Sequence, residues 1–380
     1  MAQEAVLLSG PLGLGHEMMA RSCAAVLQRA GWRARVLDSM SLLGRGGGTA
    51  GRKLFGSMVA SVPGLYDGLH FAHLRTGSRL ASRMAEAAGA RVVPALRAEL
   101  DREPADLVIS VFATGALAAA RLKAETPARR TVVLCTDVAV HRLWVWEGTD
   151  LFIVTSPAAA ATVRRFLPRA AVSVMPPPVQ DAFYDAPSQE EARAALGVPD
   201  GAACVLVIDS GWGFGPLVES VAAMADAGIY VLAVAGRRVS VERRLQAVAQ
   251  RTPRVRAFGF TDRVPELMAA ADLVVALPGA TTCSEARVVG RPLLLLDVMP
   301  GHGRDNLLHE LELGDAQVCG PDAAGVTASA LAMLSTIPRP ASRATPAPRW
   351  EPAFTAALQR VGVDLTHGYQ AVGADTRIGS

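Results

Sequence analysis

The feature that most constrains this chain is a rhythm: short apolar runs of four to six residues alternate with longer amphipathic stretches along most of its length. Ala5–Ser9, Ala34–Asp38, Leu107–Val111, Thr131–Thr136 and Leu151–Thr155 form a first set of runs. Cys204–Asp209, Tyr230–Ala235, Val255–Phe258, Leu273–Ala276 and Pro292–Asp297 form a second. Such runs suit strands buried on both faces, and stretches such as His16–Ala30 and Met84–Leu100 suit the helices that cover them. Alternation of this kind winds parallel sheets.

Two sets imply two domains, since a single hydrophobic core stops growing near ~250–300 residues and the chain has 380. Between the sets lies Met175–Val179, whose Pro176-Pro177-Pro178 neither a helix interior nor a central strand tolerates. We therefore expect an α/β protein of two Rossmann-like, doubly wound domains facing across a cleft, spanning residues 1–180 and 181–336. A Pro/Ala-rich segment with a short helix near Trp350–Val361 is expected over 337–363, and a disordered polar tail over 364–380.

Composition narrows the setting. Hydrophobic residues make up 51% and charged ones 19%, so the chain has ample surface to bury and lacks the signature of disorder. The net charge of +3 hides an asymmetry: residues 1–180 hold 21 Lys/Arg against 13 Asp/Glu, and residues 181–380 hold 17 against 22. A basic first half suits an anionic lipid surface or a nucleic acid, or is a solvated surface without a partner. Five cysteines without C-x-x-C spacing argue against a disulfide framework and for a reducing, cytoplasmic setting. The first residues lead almost directly into an expected strand without the basic and apolar stretches of a signal peptide, so none is expected there, and no run of ~18 apolar residues occurs, so lipid contact is expected to be peripheral. Residues 44–80 interleave Leu54, Phe55, Met58, Val59, Leu65, Tyr66, Leu69, Phe71 and Leu74 with Arg45, Arg52, Lys53, Arg75 and Arg79. That mixture suits helices at a membrane interface, or helices packed on their own domain.

Two regions carry chemistry. The run Gly10-Pro11-Leu12-Gly13-Leu14-Gly15-His16 leads from the first strand into a helix. Gly13 and Gly15 permit close backbone approach to a ligand, and the helix start offers unpaired N–H groups. A dinucleotide fingerprint would need its third glycine where Met18 stands, although Asp38 mimics the ribose acid. His16 at the helix start is either a structural histidine or a base for an incoming hydroxyl.

The second region is Gly259-Phe260-Thr261-Asp262-Arg263-Val264-Pro265-Glu266-Leu267-Met268, then Ala271-Asp272-Leu273, Pro278-Gly279-Ala280-Thr281-Thr282-Cys283-Ser284-Glu285-Ala286, and Gly290-Arg291-Pro292. This succession resembles the donor-binding signature of GT-B glycosyltransferases. The resemblance is to the family of diacylglycerol glucosyltransferases, monogalactosyldiacylglycerol synthases and the lipid-linked N-acetylglucosaminyltransferase of peptidoglycan synthesis, and it covers most of residues 5–320. It implies a GT-B fold, a UDP-sugar donor and a lipid acceptor. Gly279, Ala280, Thr281 and Thr282 would hold the diphosphate at a helix N-terminus, Glu285 the ribose hydroxyls, and the backbone around Phe258, Gly259 and Phe260 the uracil. By themselves, Thr281 or Ser284 can equally cap a helix, and Glu285 can complement its dipole. Gly211 and Gly213 follow the domain's first strand as the family's glycine-rich loop does, Arg237 suits a phosphate, and Asp305 and Asn306 suit the hexose hydroxyls. Thr136-Asp137, His141 and Trp144 resemble the family's acceptor-face segment. The chain departs from the family pattern at Pro11, Leu12, Leu277, Gly303 and Arg304.

No D-x-D triplet and no metal-ligand spacing occurs, so neither a metal nor a cofactor is expected beyond the UDP-sugar co-substrate. The reaction expected from the resemblance is an inverting displacement, with His16 as base and Asp137 orienting it or acting in its place. Expected partners are the UDP-sugar, a lipid acceptor and an anionic membrane surface on the inner face of the cell membrane, with no nucleic acid. The rival readings are transfer to a soluble small molecule, a non-catalytic nucleotide-sugar-binding protein, and a nicotinamide-dependent oxidoreductase.

Overall fold

A computed structural model describes residues 3–10, 15–44, 63–209, 215–337 and 347–365. The first sheet contains β1 (Glu4–Ser9), β2 (Arg33–Asp38), β3 (Leu107–Ser110), β4 (Arg130–Cys135), β5 (Leu151–Val154) and β6 (Val172–Val174). All its neighbours are parallel, in the order β2-β1-β3-β4-β5-β6. The second sheet contains β7 (Cys204–Ile208), β8 (Tyr230–Val234), β9 (Val255–Phe258), β10 (Leu273–Ala276), β11 (Leu293–Leu296) and β12 (Ala316–Cys319). It is also parallel throughout, ordered β12-β11-β10-β7-β8-β9.

Every residue of β3, β5, β7, β8, β10 and β11 is buried, as strands covered on both faces by helices must be. Each of the ten expected strands appears within a residue or so of its expected bounds. Two were missed, β6 and β12, and both are edge strands with exposed residues, Val174 and Val318 among them.

Local signals set the helix ends. Ser188 forms a capping box with Glu191 at the start of Gln189–Leu196, and Gly197 ends that helix in the left-handed region at φ 61°. Beyond the second sheet the chain returns to the first domain. Helix Glu351–Gln359 places Trp350, Phe354 and Leu358 in the same core as Leu7, Leu107 and Ile153, and the Trp350 indole N–H donates to the Val179 carbonyl at 2.8 Å. Burying such side chains is worth about 1.5–3 kcal/mol each, which ties the C-terminal helix to the opposite end of the chain. Leu365 is buried in this core as well, so packed chain continues into the region expected to be disordered. Residues 366–380, and 338–346 of the Pro/Ala-rich segment, lie outside the described residues.

Candidate active site

In open α/β sheets, ligands sit beyond the carboxyl ends of the strands where the winding reverses. That point falls between β1 and β3 in the first sheet and between β7 and β10 in the second. Both open onto one cavity of about 600 Å³ between the domains. Gly15 and His16 after β1, Asp137 after β4, Ile208 and Asp209 at the end of β7, and Leu277–Ala280 after β10 line it.

The two helices that start here face each other. Gly15 opens helix Gly15–Arg29, and a Cβ at Gly15 would stand 2.6 Å from Thr281 Oγ1 in the first turn of helix Ala280–Val289. Only a glycine permits that approach. Gly279 is the N-cap of the second helix, and among the described residues no side chain caps it. The hydroxyls of Thr281 and Ser284 therefore do not cap it, and its first-turn N–H groups carry the partial positive charge of an open helix end. Thr281, Thr282 and Glu285 line the cavity with Gly279 and Ala280.

Glu285 is buried and has no hydrogen-bond partner among the described residues. Burial pushes its pKa up to about 8, so the carboxyl is largely protonated at neutral pH. A dipole-complementing surface acid would be exposed and charged. This one is buried, and no described residue partners it.

His16 is oriented by the backbone. Its Nδ1 lies 2.9 Å from the Val111 carbonyl, which can only accept, so Nδ1 carries the proton and Nε2 is left as the basic atom. The Phe112 ring meets the imidazole edge-on, with centroids 5.0 Å apart. Burial lowers the His16 pKa despite the opposing pull of Asp137 and the Val111 carbonyl, which keeps the imidazole neutral at neutral pH.

Asp137 does not hydrogen-bond to His16. Its Oδ2 accepts from the Trp144 indole N–H at 2.9 Å and lies 3.6 Å from His141 Nε2. Burial alone would raise its pKa, but His302, His141, His16 and the Trp144 N–H more than offset this and hold the carboxyl below its ordinary range. Such a group is a poor proton acceptor. It is placed to stabilise a neighbouring cation through space, whereas orienting the imidazole falls to Val111. His141 and Trp144 stand behind Asp137, not on the cavity wall, and burial lowers the His141 pKa to about 4.

The remaining expected residues divide. Arg237 and Phe260 line the cavity, with the guanidinium stacked 4.7 Å from the Phe260 ring and 3.5 Å from Glu17 of the other domain. Gly259 is off the wall, its Cα facing the Glu242 carboxylate. Asn306 is on the wall and accepts from the Val138 N–H at 3.4 Å. Asp305 is not. The expectation that it reads hexose hydroxyls meets a carboxylate already engaged on both oxygens, by His70 Nε2 at 2.9 Å and Arg75 Nη1 at 2.9 Å. His302, which the sequence reading passed over, lines the cavity instead. Gly13, Gly211 and Gly213 lie outside the described residues. Among the described residues, no group of three or more His, Cys, Asp or Glu side chains could hold a metal ion, and no helix is long and apolar enough to cross a membrane.

Solved structures share this arrangement of two facing parallel sheets. The chain superposes on MurG of Acinetobacter baumannii with a TM-score of 0.53, at 14% identity, covering 88% of this chain and 91% of that one. The fold is GT-B. Residues 215–319 match the glycosyltransferase family 28 C-terminal domain, and residues 55–179 match the monogalactosyldiacylglycerol (MGDG) synthase family. A probable monogalactosyldiacylglycerol synthase of Glycine max is 24% identical over 196 residues, which are 48% of this chain and 37% of that protein. A processive diacylglycerol beta-glucosyltransferase of Bacillus pumilus is 23% identical over 180 residues, 46% of this chain and 47% of that protein. The chain thus spans less than half the length of these two relatives. The family likeness drawn from the motifs is borne out by both family models. The same GT-B fold also serves a UDP-GlcNAc 2-epimerase of Neisseria meningitidis, with a TM-score of 0.53 at 13% identity, 88% of this chain and 92% of that one being covered.

Proposed function

We propose that this chain transfers a hexose or N-acetylhexosamine from a UDP-sugar to the hydroxyl of a membrane lipid such as diacylglycerol, with inversion and without a metal. The observation that carries the reading is the cavity itself. It sets a neutral, backbone-oriented imidazole on one wall against an uncapped helix N-terminus with a protonated buried acid on the other. The likeness to diacylglycerol-glycosylating relatives supports the acceptor class.

In this reading the diphosphate rests on the N–H groups and hydroxyls that open helix Ala280–Val289, with Arg237 as a further positive charge. The ribose hydroxyls meet Glu285, the uracil meets the backbone beside Phe260, and Asn306 and His302 face the sugar. His16 Nε2 removes the proton of the acceptor hydroxyl as its oxygen attacks the anomeric carbon. The bond from that carbon to the diphosphate oxygen breaks, and its electron pair leaves with UDP. The imidazolium so formed is stabilised by the Asp137 carboxylate across the site. Domain closure brings acceptor and donor together and excludes water.

For the acceptor side, the outer surface around residues 63–80 exposes Leu65 and Leu80 beside Arg75 and Arg79, which suits an anionic bilayer on the inner face of the membrane. Residues 45–62, the rest of that segment, lie outside the described residues.

The test is UDP release from UDP-glucose, UDP-galactose and UDP-N-acetylglucosamine with diacylglycerol vesicles, with and without EDTA. His16→Ala should slow release by about 10²–10⁴-fold with UDP affinity retained, and EDTA should leave the wild-type rate unchanged. A His16→Ala rate within a few-fold of wild type removes the assignment. The epimerase that shares this fold motivates one rival. Conversion of the donor into its epimer without acceptor would establish it.

A further inference from the structure

Residues 63–75 belong to the first domain by sequence, yet their inner face is spent on the second. Helix Pro63–Leu69 runs directly into a π turn, His70–Leu74, in which the Arg75 N–H reaches back five residues to the His70 carbonyl at 2.8 Å. Widened turns of this kind interrupt helices mostly where a side chain has a task. Tyr66, His70 and Leu74 are the buried residues here, and the first two face segment 300–306 of the other domain, the start of helix His302–Leu313.

The contacts are reciprocal. Asp305 of the second domain is held on both oxygens by His70 and Arg75 of the first. Asp67 of the first domain is held by the second, its Oδ1 accepting from the Gly301 N–H at 2.6 Å and its Oδ2 lying 3.1 Å from Arg304 Nη1. Between them the Tyr66 hydroxyl sits 3.0 Å from His302 Nδ1. The Tyr66 ring also packs where a Cβ at residue 301 would stand, 2.4 Å away, so Gly301, at φ 65°, is required for the fit. Burial raises the Tyr66 pKa, so the phenol keeps its proton. His302 has its Nδ1 taken up by Tyr66 and its Nε2 without a hydrogen bond among the described residues.

We propose that the helix and π turn at 63–75 position the sugar half of the donor site from the opposite domain, with Tyr66, Asp67 and His70 as positioning residues acting through His302, Gly301 and Asp305. This rests on the donor reading of the cavity given above. Its consequence is a division of labour: the nucleotide is bound by the second domain alone, whereas the sugar is read only while the first domain grips segment 300–306. Because the gripping segment belongs to the acceptor domain, sugar recognition and closure become one event.

The experiment compares wild type with Tyr66→Phe, which deletes one oxygen, and with Asp67→Asn, at a half-buried position, in case the first variant does not fold. Calorimetry measures affinity for UDP and for whichever of UDP-glucose and UDP-galactose binds more tightly. The variants should keep UDP affinity within twofold while the ratio of UDP-sugar to UDP affinity falls by about tenfold, the effect of leaving a buried hydrogen-bonding partner unpaired. Amide exchange over 300–306 should quicken in the same variants without a change over β7–β10. An unchanged ratio, or a parallel loss of UDP affinity, overturns the proposal while leaving the donor reading intact. A wild type that binds no UDP overturns the donor reading, and the proposal with it.

Discussion

Replacing Glu285 by glutamine should make the protein more stable and less able to bind UDP. The carboxyl titrates at about 8 in the folded chain and near the ordinary 4.5 in the unfolded one. Below pH 4.5 both states are protonated and the group costs nothing. As pH rises from 4.5 toward 8, the unfolded chain releases the proton while the folded chain retains it, so stability falls across that window and levels off above 8. At about 1.4 kcal/mol per pH unit, the cost is about 3 kcal/mol at pH 7 and approaches about 5 kcal/mol above pH 8. Glutamine fills the same space and never ionises, so it should remove this cost.

Thermal unfolding of wild type and Glu285→Gln at pH 5, 7 and 9 measures it. The gap should be small at pH 5, grow through pH 7, and be largest at pH 9. About 3 kcal/mol corresponds to a rise in Tm of roughly 6–12 °C for a domain of this size. The same carboxyl predicts a proton signature: hydrogen bonds from ribose hydroxyls favour the charged form, so UDP binding at pH 7 should release close to one proton. Calorimetry in buffers of different ionisation enthalpy counts that proton, and glutamine should abolish it. A stability gap independent of pH, or a glutamine variant less stable than wild type at pH 9, refutes the reasoning.

Further outcomes follow from the wall that carries His16 and Asp137. Since His16 must be neutral to act and burial lowers its pKa, kcat at saturating donor should stay level from pH 8 down past 6.5 and fall only below it; an inflection above pH 7 counts against His16 as base. Asp137→Asn keeps the shape and an oxygen for the Trp144 indole but removes the negative charge, so turnover should drop by about 10–100-fold with UDP affinity unchanged, measured by steady-state kinetics alongside calorimetry.

The fold was legible because its signal is local. Runs such as Leu107–Val111 and Cys204–Asp209 are apolar on both faces, and that alone marks central parallel strands. β6 escaped because its three residues make no run, and in β12 the two central residues, Gln317 and Val318, are exposed. The cavity wall formed by the start of helix Ala280–Val289 was legible for a similar reason: Gly279, Ala280, Thr281, Thr282 and Glu285 lie within seven residues, and one helix brings them together. That Glu285 is buried with no partner among the described residues was not legible, since burial depends on residues brought from elsewhere in the chain.

Asp305, expected on the cavity and found off its wall, shows where local reading ends. From sequence, Asp305 and Asn306 are equivalent polar neighbours at a helix start, and both face inward in helix His302–Leu313. What separates them is a first-domain segment more than two hundred residues away. His70 and Arg75 take Asp305 out of the cavity wall, while Asn306 stays on it. No spacing within 300–306 encodes that choice. The only trace in the sequence is complementary: 63–75 carries Tyr66, Asp67, His70 and Arg75 among its apolar residues, and 301–305 carries His302, Arg304 and Asp305. An amphipathic segment meant solely for lipid has no use for an aspartate and a histidine on its inner face. Their presence there is what a segment needs if it must hold a partner domain on one side and leave Leu65 to water or bilayer on the other.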